Sequence, residues 1–250
     1  KKCQQDSFLR SCLSALEVYV SKRNGAESKV DHFVAPSNFL RNKLIQYGVN
    51  PKRISTIYNF IQVADYEPSS QAGEYFVFLG RLEKIKGIFT FLEAAARLPA
   101  ISFLIVGTGE CEKEVVDFVE QEKLQNVKLL GYKNKQQIND ILKRAKGLVI
   151  PSLCCEIFGM VILEAFAMAK PVLGADIGGI PELIDHGTDG FLFRPGDVDE
   201  LVKAILWLNT HTGEAVKMGL KGREKVEKKF DAAVYYSKLM SLYKQLTDEA

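Results

Sequence analysis

Short apolar runs alternate with segments of helical spacing along most of this chain. The runs at residues 75–79, 101–106, 127–130, 147–150, 171–173 and 190–193 are largely apolar, the pattern of strands buried on both faces. Between them, residues 87–97, 110–122, 135–145, 158–169 and 198–208 place apolar side chains at helical spacing. Strands regularly separated by helices predict an α/β fold, a doubly wound parallel sheet with helices on both faces. Residues 213–229 and 231–246 read as charged amphipathic helices that pack on the outside.

The opening of the chain is less regular. Residues 5–22 put Phe8, Leu9, Leu13, Leu16 and Val20 at helical spacing, and a short strand follows within 31–37. Ser37 is placed to cap a helix over 38–46 that ends at Gly48, and 54–60 read as another strand after Pro51. These elements are too few to close a sheet. Residues 62–73 then turn polar, with Pro68, Ser69, Ser70 and Gly73, and read as a linker. Three units are expected: 1–65, 66–230 and 231–250.

The predicted helix at 158–169 contains a single ionisable residue, Glu164. A helix apolar all round is normally buried, and an isolated ionised carboxylate is too costly to desolvate. Glu164 therefore needs either a structural partner, such as a neighbouring strand, or a polar pocket that a ligand fills. Residues 158–161 are expected to supply the unpaired N–H groups of the first helical turn, with Gly159 allowing close approach. Such an end attracts phosphate.

In a doubly wound sheet, ligands sit outside the carboxyl ends of the strands. The residues following the predicted strands include Gly80, Arg81 and Lys86; Gly107 and Gly109; Gly131 and Tyr132; 151–156; and 174–179. Two cations, a helix start and several glycines converging on one crevice point to a diphosphate. For Lys86 taken alone, an ordinary surface position is the simpler reading. A nicotinamide site is disfavoured, because G-T-G-E-C-E at 107–112 follows the second strand and lacks the third glycine of the dinucleotide fingerprint.

Composition narrows the choice further. Hydrophobic residues make up 47% and charged residues 26% of the 250, as in ordinary globular proteins. A net charge of +2 argues against a dedicated nucleic-acid binder. Residues 1–65 nevertheless carry 10 Lys and Arg against 5 Asp and Glu, a surplus compatible with peripheral contact at an inner membrane face or with ordinary solvated charge. Five cysteines without a C-x-x-C pair fit a reducing, cytoplasmic setting, and Cys154 and Cys155 read as small buried residues, with reactive thiols as the alternative. No apolar run approaches the length of a membrane span. The one D-x-D, Asp197-Val198-Asp199, reads as a helix cap at Asp197, and the three histidines are scattered, so no metal site is expected. The chain begins at Lys1 without methionine, as a fragment would.

The motif PS-x3-EIFGMVILEA-x4-KPV-x5-GGIPELI resembles the E-x7-E donor signature of the retaining glycosyltransferases of family 4, which have the two-domain GT-B fold. GRLEKIKG, IVGTGE, LLGYK and DGFLFRPGDVDEL resemble other turns of that family's donor domain, and the similarity covers roughly residues 30 to 245. It implies that 1–65 are the last part of an N-terminal acceptor-side domain, that 66–230 are a Rossmann-like donor domain, and that 231–250 are a helix across its outside.

By the same resemblance, Glu164 binds the ribose of a nucleotide diphosphate sugar and Glu156 lies beside the transferred sugar. Arg81, Lys86 and the backbone of Phe158, Gly159, Met160 and Val161 hold the diphosphate in place of a metal. Gly131 and Tyr132 lie near the base, and Gly80, Gly107 and Gly109 shape the pocket. The activity implied is transfer of a hexose, with retention, to an unspecified acceptor such as a saccharide or lipid-linked saccharide. The alternative is a donor-binding module without activity of its own. Two departures stand out. Ala169 replaces a frequent glycine, with tighter packing expected, and IYNFIQ at 57–62 keeps Asn59 but puts Phe60 and Gln62 at the interdomain corner.

Overall fold

The computed structural model describes residues 8–23, 25 and 29–248. Residues 5–7 of the first predicted helix, and Cys3, lie outside them. The chain begins with α1 (Phe8–Arg23), then β1 (Phe33–Ala35), α2 (Asn38–Gln46) and β2 (Ile54–Thr56). β1 and β2 pair in parallel with α2 as their crossover. Ser37 caps α2 as expected, its Oγ accepting the Leu40 N–H at 3.1 Å.

The remainder alternates: β3 (Tyr75–Leu79), α3 (Ile88–Ala96), β4 (Ser102–Val106), α4 (Glu112–Gln121), β5 (Val127–Gly131), α5 (Lys135–Lys143), β6 (Ala145–Ile150), α6 (Met160–Ala167), β7 (Val172–Ala175) and β8 (Gly190–Phe193). Three helices close the chain, α7 (Val198–Thr210), α8 (Thr212–Lys229) and α9 (Ala232–Asp248). All six predicted strands form one parallel sheet in the order β5-β4-β3-β6-β7-β8. The chain runs outward from β3 through β4 to β5, then returns to the other side of β3 with β6. A crevice opens at such a switch point, outside the carboxyl ends of β3 and β6.

Both faces of the central strands are covered, which is why β3 is apolar throughout and β6 and β7 nearly so, whereas the edge strand β5 has no fully buried residue. Along β3, Phe76 and Phe78 enter a core with Phe91, Phe103 and Ile205, whereas Val77 and Leu79 enter a second with Ile162, Leu163 and Phe166. Burying a side chain of this size stabilises the fold by roughly 1.5–3 kcal/mol. Asp197 caps α7, its Oδ1 accepting the Glu200 N–H at 2.9 Å.

Several expectations need correction. Residues 62–73 are not simply a solvated linker: Val63 and Tyr66 are buried in the second core, and the Ser69 N–H bonds to the Met168 carbonyl at 3.1 Å. Helix α8 is not merely on the outside. Its Met218 and Val226 join the two cores, and a Cβ at Gly222 would meet Phe166 Cδ1 at 2.3 Å, so α8 lies directly on α6. Ala169 does more than tighten packing, because at φ 57° it holds a left-handed conformation that disfavours any side chain. Cys155 is exposed and Cys154 half-buried, so this pair is not a buried one. Phe60 packs on Tyr235 of α9, the two rings tilted and their centroids 4.5 Å apart.

Candidate functional site

Two adjoining cavities occupy the crevice. The first, about 260 Å³, lies between the ends of β3 and β6 and is lined by Gly80, Arg81, Lys86, Ser152, Glu156, Gly159, Met160 and Val161 among others. The second, about 290 Å³, lies between β3 and β4 and is lined by Gly80, Arg81, Gly107, Thr108, Tyr132, Lys133, Ile138, Val161 and Glu164 among others. They share the wall formed by Leu79, Gly80, Arg81 and Val161. Together they fall within the size of small-molecule sites, roughly 300–1,000 Å³.

The first cavity owes its charge to the turn after β3. There, residues Lys84–Lys86 form a 3-10 turn that ends at Gly87, φ 73°. A Cβ at Gly87 would stand 1.7 Å from the Pro151 carbonyl oxygen, so only glycine lets this turn lie against the one that carries Glu156. The approach brings Lys86 Nζ to 2.7 Å from Glu156 Oε1, with both side chains about one-fifth exposed. Ser152, itself buried, donates its hydroxyl to the same oxygen at 2.8 Å. Glu156 Oε1 thus accepts two hydrogen bonds, and among the described residues Oε2 accepts none. Gly87→Ala is expected to lower stability by about 2 kcal/mol, from left-handed strain and overpacking. For a domain of this size that is a fall of roughly 4–8 °C in Tm, measurable by calorimetry.

Arg81 differs from Lys86. Its guanidinium is paired with Glu83 at 2.5 Å, and its side chain is 70% exposed, so it sits on the rim. Helix α6 starts at Met160, with Gly159 before it at φ 106°. The Ile162 N–H bonds to the Gly159 carbonyl at 3.0 Å, leaving the Met160 and Val161 amides without partners inside the helix. Phe158 does not open the helix as the sequence pattern predicts; it is buried against Tyr58 and Phe230.

In the second cavity, burial pushes the Glu164 carboxyl above the ordinary glutamate range, against the opposing pull of Lys135 and of the nearby Tyr66 hydroxyl. Tyr66 is itself pushed up to about 12, by burial first and then by the charge of Glu164. Among the described residues Glu164 forms no ion pair within 4 Å, so it is a desolvated acid with spare acceptor capacity. Tyr132 is 76% exposed at the mouth. Gly109 and Gly131 line neither cavity. Gly131 instead accepts the Gly107 N–H at 2.9 Å, and a Cβ at Gly109 would collide with the Leu82 backbone.

Sequence reasoning placed Ser152 at the crevice only as part of 151–156, without a role, and missed Tyr66, Thr108, Lys133 and Ile138 as lining or supporting residues. Ser152 carried a signal, four residues before Glu156 in the PS-x3-E pattern. Tyr66, inside a polar segment, carried none. Among the described residues no three His, Cys, Asp or Glu side chains group to hold a metal ion, and no helix is long and apolar enough to cross a membrane.

A family model described as Glycosyl transferases group 1 matches residues 65–225, and another, Glycosyltransferase Family 4, matches residues 13–65. The chain belongs to the group 1 glycosyl transferases. Within this family its similarity runs to MJ1178, an uncharacterized glycosyltransferase of Methanocaldococcus jannaschii, 28% identical over 89% of this chain and 62% of that protein. The amylovoran biosynthesis glycosyltransferase AmsK of Erwinia amylovora is 30% identical over 67% of this chain and 44% of its own length. The chain therefore spans 44–62% of the length of these two relatives. Among solved structures, Anabaena Alr3699/HepE in complex with UDP-glucose superposes with a TM-score of 0.79 at 25% identity, covering 86% of this chain and 64% of that one. As a group 1 glycosyl transferase with such neighbours, the chain has the Rossmann-like C-terminal domain of the GT-B fold.

Proposed function

We propose that this chain carries the donor half of a retaining glycosyltransferase and binds a nucleotide diphosphate sugar across the two cavities. The observation that carries the reading is their shared wall. A ligand spanning both meets Glu164 at one end, Lys86 and Glu156 at the other, and the unpaired amides of α6 between them. That order matches ribose, diphosphate and sugar, and the complex of Alr3699/HepE with UDP-glucose supports it by analogy of fold.

In this assignment Glu164 accepts hydrogen bonds from the ribose hydroxyls. The α6 amides and Lys86 hold the diphosphate, with Arg81 adding charge at the rim, and Glu156 Oε2 accepts from a hydroxyl of the sugar. When the bond between the anomeric carbon and the diphosphate oxygen breaks, negative charge accumulates on the leaving group. Lys86 and the amides stand where that charge develops, the arrangement that lowers a barrier most effectively. The cations and amides do the work that a metal does in other sugar-transfer sites; an acceptor hydroxyl, held by protein outside the donor half, forms the new bond to the anomeric carbon and its proton leaves with the diphosphate. Retention of anomeric configuration follows from the resemblance of the E-x7-E segment, and the anomer of the product, read by NMR, tests it.

Calorimetric titration with UDP-, GDP- and ADP-sugars tests the donor reading directly. One of them is expected to saturate the site with one-to-one stoichiometry. Absence of binding by all three, in protein that unfolds cooperatively, would refute it.

A further inference from the structure

The start of an α-helix leaves four backbone N–H groups without partners. In α2 three of these, the amides of Asn38, Phe39 and Leu40, find partners, and only one partner is local. The Leu40 N–H goes to Ser37 Oγ at 3.1 Å, and the Arg41 N–H makes the first bond within the helix, to the Ser37 carbonyl at 3.0 Å. The Asn38 and Phe39 amides instead reach Glu182, donating to Oε2 at 2.8 Å and Oε1 at 2.6 Å. Glu182 lies 144 residues beyond Asn38, in the donor-side turn Ile180–Glu182 that follows β7. A carboxylate at a helix N-terminus also meets the positive end of the helix dipole.

Glu182 is held to the N-terminal elements a second way. The Tyr58 hydroxyl donates to Glu182 Oε2 at 3.0 Å and accepts from Asn38 Nδ2 at 2.7 Å, while the Thr56 hydroxyl donates to Asn38 Oδ1 at 2.8 Å. Burial, then the bond to Glu182, pushes Tyr58 up to about 12, so it remains a donor at neutral pH. The Tyr58 ring also packs on Phe158, 6.0 Å between centroids, beside the Gly159 start of α6.

On its own side, Glu182 belongs to a turn fixed to the donor site. The Gly179 N–H bonds to the Glu156 carbonyl at 2.7 Å. From below, Lys225 Nζ donates to the Leu183 carbonyl at 2.7 Å and pairs with Asp185 at 2.9 Å and with Asp189. The path from the α2 amides to the Glu156 backbone is therefore one side chain and one short, braced turn. Glu182 lines neither cavity, so it has no contact with a donor.

We propose that Glu182, with Tyr58, is a positioning residue for sugar transfer: it registers the N-terminal elements against Glu156 and α6, so that an acceptor held on the N-terminal side meets the donor sugar. This rests on the donor reading given above. Donor binding needs only the cavities, whereas transfer needs the register. A misplacement of about 1 Å costs a reaction on the order of 10²-fold.

The test uses the full-length enzyme that contains this chain, as wild type and as Glu182→Ala, Glu182→Gln and Tyr58→Phe. The amide of Glu182→Gln keeps one acceptor oxygen but turns an NH2 group toward N–H donors. Tyr58→Phe keeps the ring against Phe158 and removes only the hydroxyl. Four quantities are read: nucleoside diphosphate Kd, kcat/KM for the acceptor, the ratio of transfer to donor hydrolysis by water, and amide exchange at Asn38 and Phe39.

For both Glu182 variants, Kd is expected within about twofold of wild type, while acceptor kcat/KM and the transfer-to-hydrolysis ratio fall about tenfold or more. Tyr58→Phe is expected to shift the ratio in the same direction by about threefold, one hydrogen bond being removed. Exchange at Asn38 and Phe39 rises in Glu182→Ala. A transfer-to-hydrolysis ratio equal to wild type overturns the proposal, as does a donor affinity that falls in parallel with transfer, which is the mark of a merely structural role. Wild-type protein that binds no nucleoside diphosphate sinks the donor reading instead, and is recognised before any variant is made.

Discussion

Replacing Lys86 by alanine in the full-length enzyme is expected to lower kcat by about 10²–10³-fold while changing donor Kd by less than about tenfold. The asymmetry follows from where the charge is. A bound nucleotide sugar already carries negative charge on its diphosphate, shared with the α6 amides, but the leaving group gains more as the glycosidic bond breaks. A cation that faces the growing charge stabilises the transition state more than the ground state. Lys86 is suited to this because it is only 22% exposed and is fixed by Glu156 and the glycine-dependent turn, so it needs little reorganisation. Arg81, 70% exposed and paired with Glu83, is screened by water, and Arg81→Ala is expected to cost markedly less. Steady-state kinetics together with calorimetric Kd values make the comparison. Equal losses in kcat from the two variants, or a Lys86→Ala defect confined to Kd, would remove Lys86 from its assigned role.

Glu164→Ala is expected to weaken nucleoside diphosphate binding by about 10²-fold and to leave inorganic pyrophosphate binding unchanged. Hydrogen bonds to a charged group contribute about 1.5–3 kcal/mol each, and a ribose diol offers two donors. Pyrophosphate has no ribose, so comparing the two ligands by titration isolates the contact. Parallel losses for both ligands would show a collapsed site rather than a lost ribose contact.

The same carboxyl predicts a stability effect of opposite sign. Because burial raises its pKa in the folded chain, the native state holds the proton more tightly than the unfolded state. Stability contributed by Glu164 is therefore present below the ordinary glutamate range and is lost as pH rises through the raised value. Glu164→Gln, neutral throughout, is expected to raise Tm relative to wild type at pH 7 and to lose that advantage near pH 4. An acid kept desolvated at a cost to stability fits a residue retained for its ligand. Thermal denaturation of both proteins across that range supplies the check, and a Tm difference independent of pH would contradict it.

Local rules made much of this molecule legible from its residues. The six strands of the sheet, the caps Ser37 and Asp197, and the crowding of Gly80, Arg81, Lys86, Glu156 and Glu164 at one end of the sheet all follow from periodicity, turn chemistry and the parallel topology they imply. Such signals are local in the chain, and the doubly wound arrangement converts them into a shared location. Glu164 was conspicuous for the same reason, as the one charge in an apolar helix.

What only the tertiary structure decided is which of these residues act on each other. Taken alone in the sequence, Lys86 reads as a surface residue; packing of Gly87 on Pro151 instead buries it beside Glu156, and it is Arg81 that stays on the rim. No sign in the sequence showed that Tyr66, in a polar stretch, lies buried against Glu164, nor that Phe158 serves the core rather than the helix start. Least of all did it show Glu182 capping a helix 144 residues away. Periodicity reports which face of an element is buried, but hydrogen bonds between distant segments leave no period. Their partners are fixed only when the sheet closes and brings the turns to within a few ångströms of one another.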